Sequence, residues 1–168
     1  MSGMGFGNFS GAGNTGTRNP LLTSSGAQVV LTGDGTFYSY TLPANSLTSN
    51  GDLLIVETGA TFSGAGNAVL AIVMGGNTLA SRSWISDISP EDIVIQTRIT
   101  RVSAAAVQAA SWVSFNLQNM SNYNYLPSSA GAVVDLTAAN TISVTSSSYG
   151  GGTLTSQYFT IASYLVNS

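Results

Sequence analysis

Short runs of apolar residues, many of them β-branched or aromatic, recur along most of the chain, separated by clusters of glycine, asparagine, serine and proline. From residue 27 onward these turn clusters return about every 8–12 residues, which is typical of antiparallel β-sandwiches and barrels. Residues 103–110 have helical propensity but are few, so we expect a loop or a single turn there, and we predict a turn at residues 122–131. The pattern predicts nine strands, at residues 28–32, 37–42, 52–61, 68–74, 78–84, 92–102, 111–119, 141–147 and 157–167.

One predicted strand alternates strictly enough to show which side faces the core. Ile93, Ile95 and Ile99 share one side, whereas Gln96 and Arg98 lie on the other. The strand that follows it alternates in the same way. Alternation of this kind is typical of antiparallel strands that are buried on one side only.

The last predicted strand is apolar on both sides. Phe159, Ile161 and Leu165 share one side, and this side can pack on the partner sheet. We expect a neighbouring subunit to cover the other side. The predicted subunit interface therefore consists of Tyr158, Ala162, Tyr164 and Val166.

Residues 1–26 differ from the rest of the chain, because glycine and asparagine replace the periodic apolar positions. Such a segment buries too little apolar surface to offset the conformational entropy that it would lose on ordering. We therefore expect an extended arm at residues 1–26, ahead of a β-domain at residues 27–168. The candidate binding residues of the arm are four apolar anchors for a neighbour's grooves and one cation, namely Met1, Met4, Phe6, Phe9 and Arg18.

The composition makes common catalytic chemistry improbable. The 168 residues include four arginines but no lysine, histidine or cysteine. Ser-His-Asp and Cys-His catalysis, ordinary zinc or haem sites and a P-loop lysine are therefore excluded. A net charge of −3 argues against a partner held through phosphates. We predict no enzyme activity, no cofactor, no nucleic-acid partner and no membrane partner.

Charged residues make up only 7% of the chain, against about 25% in a typical soluble domain. Independent monomers use surface charge for solubility and to prevent strands from pairing at sheet edges. A surface of serine, threonine, asparagine, glycine and alanine therefore favours an oligomer or a larger assembly.

Two motifs match the spacing of binding sites but lack the required context. Residues 11–16 match G-x-G-x-x-G, yet no strand precedes them and Pro20 follows, so we assign them to the arm. Asp87, Glu91 and Asp92 have the ligand type of a calcium loop, and the alternative is an acidic turn at Ser89-Pro90. We expect no bound metal.

The remaining candidates are cations and aromatic residues. Arg82, Arg98 and Arg101 are expected to form salt bridges between chains. A set of tyrosines and tryptophans has two interpretations: these side chains stack on sugar rings, or they are ordinary interface and core residues. The set consists of Tyr123, Tyr125, Tyr149, Trp84 and Trp112.

Residues 37–81, FYSYTLPANSLTSNGDLLIVETGATFSGAGNAVLAIVMGGNTLAS, resemble a domain of tailed-phage virion proteins. The C-terminal segment DLTAANTISVTSSSYGGGTLTSQYFTIASYLV resembles the closing strands of the same domain, so the resemblance covers roughly residues 27–167. It implies an all-β, antiparallel jelly-roll sandwich like those of tumour-necrosis-factor and complement-type trimers. It also implies a place on the virion as a capsid decoration, head fibre or tail-fibre tip, and no catalytic residues.

Together these observations lead to one expected function. We expect a homotrimeric capsid decoration (cement) protein, made in the host cytoplasm, that binds the major capsid protein at the outer surface of a phage head. The alternative is a tail-fibre or spike tip that recognises host glycans through Tyr123, Tyr125 and their neighbours.

Overall fold

The computed structural model describes residues 18–22, 28–64, 66–86, 91–117, 120–147 and 151–166. These residues form eleven strands and no helix, and so contain no helix able to cross a membrane. The strands are β1 (Arg18–Leu22), β2 (Val30–Leu31), β3 (Gly35–Leu42), β4 (Leu53–Ser63), β5 (Gly66–Met74), β6 (Asn77–Ser86), β7 (Glu91–Ser103), β8 (Ala106–Leu117), β9 (Met120–Val133), β10 (Asn140–Ser147) and β11 (Thr153–Tyr164).

The strands form two antiparallel sheets. The larger sheet has the order β1-β11-β4-β7-β8-β9, with β2 also paired to β11, and the smaller has the order β3-β10-β5-β6. The sets β1-β11-β4-β7 and β3-β10-β5-β6 give the eight-strand order of a jelly roll, and the β8–β9 hairpin extends the larger sheet beyond β7. This confirms the predicted all-β antiparallel jelly-roll sandwich.

Apolar side chains that alternate inward from both sheets fill the space between them. Leu54, Val56 and Phe62 of β4 are fully buried, as are Ile72 and Met74 of β5. The isoleucines of β7 lie on the same inner side as predicted. Burial of these side chains is the main favourable contribution to folding.

An aromatic pair crosses the space between the sheets. Tyr38 of β3 and Phe159 of β11 are parallel, with ring centroids 5.2 Å apart and an angle of 5° between their planes. Phe159 is completely buried. The predicted inward side of the last strand is therefore confirmed at Phe159 and at Ile161, which is also buried.

A two-glycine turn joins β5 to β6. Met74 lies opposite Asn77, and Gly75 and Gly76 between them have φ values of 55° and 81°. A tight antiparallel hairpin needs positive φ at both central positions, which glycine adopts at little cost. The turn lies between the predicted strands at residues 68–74 and 78–84, where the turn pattern of the sequence requires one.

Two predictions between β7 and β10 are wrong. Residues 106–110 belong to β8 instead of a loop or helical turn, since Val107 and Ala109 are buried by alternation while the strand pairs with β7 and β9. Residues 122–131 lie within β9 instead of a turn. β9 is the last strand in the order of the larger sheet. Proline has no backbone N–H group to donate, and an edge strand tolerates Pro127 because its outward side makes no hydrogen bonds to another strand.

The sheet also extends further toward the N-terminus than the predicted strands. β1 lies within residues 1–26 and pairs with β11, with Arg18 opposite Tyr164. β2 then pairs with the same strand further along, with Leu31 opposite Leu154. β1 and β2 therefore occupy the same edge of β11, with opposite ends of that strand as partners.

Candidate functional site

The side of the larger sheet that faces away from the core carries polar and aromatic side chains as well as aliphatic ones. We call this side the outer face. Alternation and register place on it, among others, Ile55 and Glu57 of β4, Gln96 and Arg98 of β7, Trp112 of β8, and Tyr158, Thr160, Ala162 and Tyr164 of β11.

Glu57 is at the centre of a hydrogen-bonded group on the outer face. The Tyr158 hydroxyl donates to Glu57 Oε1 at 3.0 Å, and Gln96 Nε2 donates to Glu57 Oε2 at 2.9 Å. Partial burial and the neighbouring Glu57 carboxylate raise the pKa of Tyr158 well above its ordinary value near 10. The phenol therefore stays protonated and acts as a donor to Glu57.

A bulge in β11 sets the position of Tyr158. The register with β4 shifts between Ser156 and Tyr158, so two residues of β11 lie opposite Gly59. The Tyr158 ring lies against Gly59, in space that a Cβ atom there would occupy. The extra residue, Gln157, donates through Nε2 to Thr61 Oγ1 at 2.9 Å.

Arg98 of β7 and Trp112 of β8 form a second group, two and three strands away from β11. The guanidinium carbon of Arg98 lies 5.8 Å from the centroid of the Trp112 ring, and Trp112 is 37% exposed. This distance is near the outer limit of a cation–π contact. In the register of the sheet, Trp112 lies opposite Gln96 on one side and Tyr125 on the other.

The residues predicted for the subunit interface fall in two places. Tyr158, Ala162 and Tyr164 share the outer face, where Ala162 is only 4% exposed within the single chain. Val166 lies beyond the end of β11, is 38% exposed, and donates its backbone N–H to Asp52 Oδ1 at 2.8 Å. Their role in an interface stays a prediction.

The predicted binding residues of the arm are for the most part beyond the part of the chain that the structure describes. Met1, Met4, Phe6 and Phe9 lie outside the described residues, as do residues 11–16. Arg18 is the first residue of β1. Capsid binding through these residues stays a prediction.

The predicted aromatic group is divided among strands and undescribed residues. Tyr149 lies outside the described residues, and Trp84 belongs to β6 in the smaller sheet. Tyr123 and Tyr125 belong to β9, so they are strand residues and not the loop neighbours we expected. Of this set, Trp112 has a described side chain on the outer face.

The acidic candidates do not form a described cation site. Asp87 lies outside the described residues, Glu91 begins β7, and Asp92 Oδ1 accepts a hydrogen bond from Thr61 Oγ1 at 2.6 Å. Among the described residues no group of three or more His, Cys, Asp or Glu side chains is placed to hold a metal ion.

Arg101 and Arg98, two of the predicted cations, make contacts within their own chain. Arg101 Nη1 donates to the Leu47 carbonyl oxygen at 2.5 Å, and the Arg101 backbone N–H donates to Asp52 O. Arg98 lies over Trp112, as described above. The salt bridges predicted between chains stay a prediction for Arg82, Arg98 and Arg101.

Sequence reasoning missed two carboxylates. Glu57 was not a candidate, because its approach to Gln96 and Tyr158 depends on the order β11-β4-β7, which no local pattern contains. Asp52 is completely buried and accepts the backbone N–H groups of Thr48 and Ser49, both at 2.7 Å. The Ser-Asn-Gly-Asp sequence before β4 was the available signal for such a turn.

No protein-family model matches the chain, and no curated protein matches it significantly. Three solved structures are similar to it at low scores. The insecticidal delta-endotoxin Cry8Ea1 from Bacillus thuringiensis is 16% identical over 84% of this chain and 20% of its own, with a TM-score of 0.42. The CBM2 module of the evolved Dit of Lactobacillus casei BL23 phage J-1 is 13% identical over 77% and 70%, with a TM-score of 0.34.

The structure of the infectious bursal disease virus Gx strain is 11% identical, over 99% of this chain and 47% of that chain, with a TM-score of 0.31. The chain spans about a fifth of the length of the endotoxin chain. At these identities and scores the likenesses carry no statement about function.

Proposed function

We propose that the chain is a virion structural protein, a homotrimer that decorates the outer surface of a phage head. The observation that carries this proposal is the two-sided character of β11. Phe159 and Ile161 are buried in the core, whereas Tyr158 and Tyr164 are partly exposed on the outer face, with the small, buried Ala162 between them. A second copy is the partner for which such a patch is best suited, because homotypic interfaces are enriched in aromatic and apolar residues.

The neighbouring strand extends this patch. Ala162 lies opposite Ile55 of β4, and Ile55 is partly exposed, so the patch continues onto the neighbouring strand. Tyr158 and Glu57 form a hydrogen-bonded boundary at one side of it. An apolar centre beside a polar, hydrogen-bonded boundary is the usual anatomy of a protein–protein interface.

The composition supports an assembled state. A charged content of 7% and a net charge of −3 leave little electrostatic repulsion between copies. The decoration protein that we propose acts by binding and not by catalysis. It stabilises the capsid because it buries surface against neighbouring subunits.

The arm supplies the proposed contact with the major capsid protein. Residues 1–17 precede β1, and in extended form they span at most roughly 60 Å. Arg18 lies opposite Tyr164, so the arm enters the domain beside the end of β11 and beside the proposed trimer interface. Each trimer would then direct three arms, with Met1, Met4, Phe6 and Phe9 as anchors, toward neighbouring capsid subunits.

Two experiments test this function. Immunogold labelling of intact particles with an antibody to the folded domain is expected to place label over the head, whereas label confined to the tail would contradict a decoration role. Deletion of residues 2–17 is expected to abolish binding to capsids while the trimer persists. A matched variant, Phe6→Ala with Phe9→Ala, keeps the length of the arm and is expected to weaken capsid binding. Unchanged binding after the deletion would remove the arm from the proposal.

A further inference from the structure

We propose that the β7–β8 part of the outer face binds a carboxylate-bearing saccharide, with Trp112 as the stacking surface and Arg98 as the ligand for the carboxylate. This site goes beyond the structural role proposed above. It rests on the juxtaposition of an exposed indole, a guanidinium and hydrogen-bonding side chains on one side of the sheet.

The indole provides the apolar contact. Trp112 is 37% exposed although it lies in the interior of a paired strand, with β7 on one side and β9 on the other. The C–H side of a pyranose ring packs on an indole, since one side of the sugar is apolar and its edges are polar.

The polar partners lie in the same cross-strand row as the indole. Trp112 is opposite Gln96, and Gln96 is opposite Glu57, so the three side chains follow a line across β8, β7 and β4. Gln96 Nε2 already donates to Glu57 Oε2, and Tyr158 donates to Oε1, which holds the Gln96 amide in a fixed orientation. A fixed row of acceptors and donors beside a ring provides the few oriented polar groups that ligand sites require.

Arg98 selects the chemical class of the sugar. Its guanidinium carbon lies over the Trp112 ring, 5.8 Å from the centroid, so a ligand that packs on the exposed remainder of the indole would have its substituents in contact with the guanidinium. Arginine binds carboxylates through two parallel hydrogen bonds, and a planar guanidinium that also contacts an aromatic ring is already partly oriented. The expected ligand therefore carries a carboxylate, as uronic and sialic acids do.

The site and the proposed trimer interface are separable. β8 lies three strand spacings from β11, roughly 14 Å, so a second copy that covers Tyr158, Ala162 and Tyr164 does not have to cover Trp112. Loss of sugar binding and loss of the trimer can therefore be measured as independent properties.

The test is a binding measurement with the full chain against matched pairs of acidic and neutral sugars. Suitable probes are sialyllactose against lactose, and oligogalacturonate against the corresponding galactose oligomer, with isothermal titration calorimetry as the readout. We expect saturable binding to at least one acidic member, no binding to its neutral counterpart, and weaker binding as the salt concentration rises.

Variants assign the binding to its residues. Arg98→Gln is expected to weaken it about tenfold or more. Trp112→Ala is expected to abolish it, and Trp112→Phe to retain part of it. Val133→Ala, at a residue 74% exposed near the end of β9, is the control and is expected to bind like the parent chain.

Three results would overturn the proposal. They are equal binding of acidic and neutral sugars, no binding to any probe, and binding that persists in Trp112→Ala when its unfolding midpoint matches that of the parent chain. If Trp112→Ala instead dissociates the trimer and no sugar binds, this part of the outer face belongs to the subunit interface and the saccharide site is excluded.

Discussion

The two sides of the larger sheet differ in the side chains that they carry, although the same strands form both. On the inner side, β4 and β7 contribute Leu54, Val56, Ile95 and other aliphatic side chains that are almost completely buried. On the outer face, the same strands present Glu57 and Gln96, which are bonded to each other and to β11. The inner side therefore determines whether the chain folds, and we propose that the outer face determines what the folded chain binds.

The largest expected effect comes from the inner side of β11. Phe159→Ala removes a fully buried ring and its stack on Tyr38, so we expect the free energy of unfolding to fall by about 3–5 kcal/mol. Thr160→Ala, at the next position on the opposite side, is the matched control and should change it by less than about 0.5 kcal/mol. Chemical denaturation measures both. A similar loss in the two variants would show that the sides do not differ.

Asp52 is expected to give the next largest effect. Its carboxylate accepts the backbone N–H groups of Thr48, Ser49 and Val166, and it is completely buried. Asp52→Ala leaves these donors without acceptors, and we expect a loss of about 2–3 kcal/mol. Asp52→Asn keeps one acceptor oxygen and should lose less. Equal unfolding free energies for Asp52→Ala and the parent chain would contradict the role of this carboxylate.

A buried hydroxyl pair tests whether the inner side requires apolar residues. Thr97 and Ser111 are buried, and their hydroxyl oxygens lie 2.8 Å apart. Thr97→Val leaves the Ser111 hydroxyl unsatisfied, so we expect a loss of about 1–2 kcal/mol. The double variant with Ser111→Ala should recover most of it. A double variant with the sum of both single losses would show that the pair contributes no coupling.

The smallest expected effect is an alkaline one on the outer face. The pKa of Tyr158 is raised by partial burial and by Glu57, so the phenol binds its proton more tightly in the folded than in the unfolded chain. The resulting stabilisation is fully present below the unfolded value near pH 10 and is lost as the pH rises above it. Glu57→Gln is expected to lower the pKa of Tyr158 in ultraviolet titration and to weaken this pH dependence. An unchanged Tyr158 titration in that variant would exclude coupling to Glu57.

The sequence predicted the inner side of the molecule much better than the outer face. Alternation at Ile93, Ile95 and Ile99 predicts burial directly, because every second side chain of a strand points to the same side of the sheet. The glycine pair at Gly75 and Gly76 likewise has one local explanation. The hydrophobic spacing was sufficient to predict an antiparallel sandwich or barrel, and the resemblance to the phage domain specified the jelly roll.

The outer face was harder to predict from the sequence because its interacting groups come from strands that are distant in sequence. Glu57 and Tyr158 are 101 residues apart, and neither has a local signal of its own. The prediction for β9 failed for a different reason. Its asparagines, serines and Pro127 have turn propensity, and the pairing with β8 overrides it at an edge of the sheet.

The central claim is that the β11 side of the outer face holds three copies of the chain together. Sedimentation equilibrium of the full chain tests it most directly, with Tyr164→Arg as the variant that places a charge in the proposed interface. The account predicts a species of three times 17.2 kDa for the parent chain and a shift to 17.2 kDa for a folded Tyr164→Arg variant. A parent chain that sediments as a 17.2 kDa monomer at every loading concentration would contradict it.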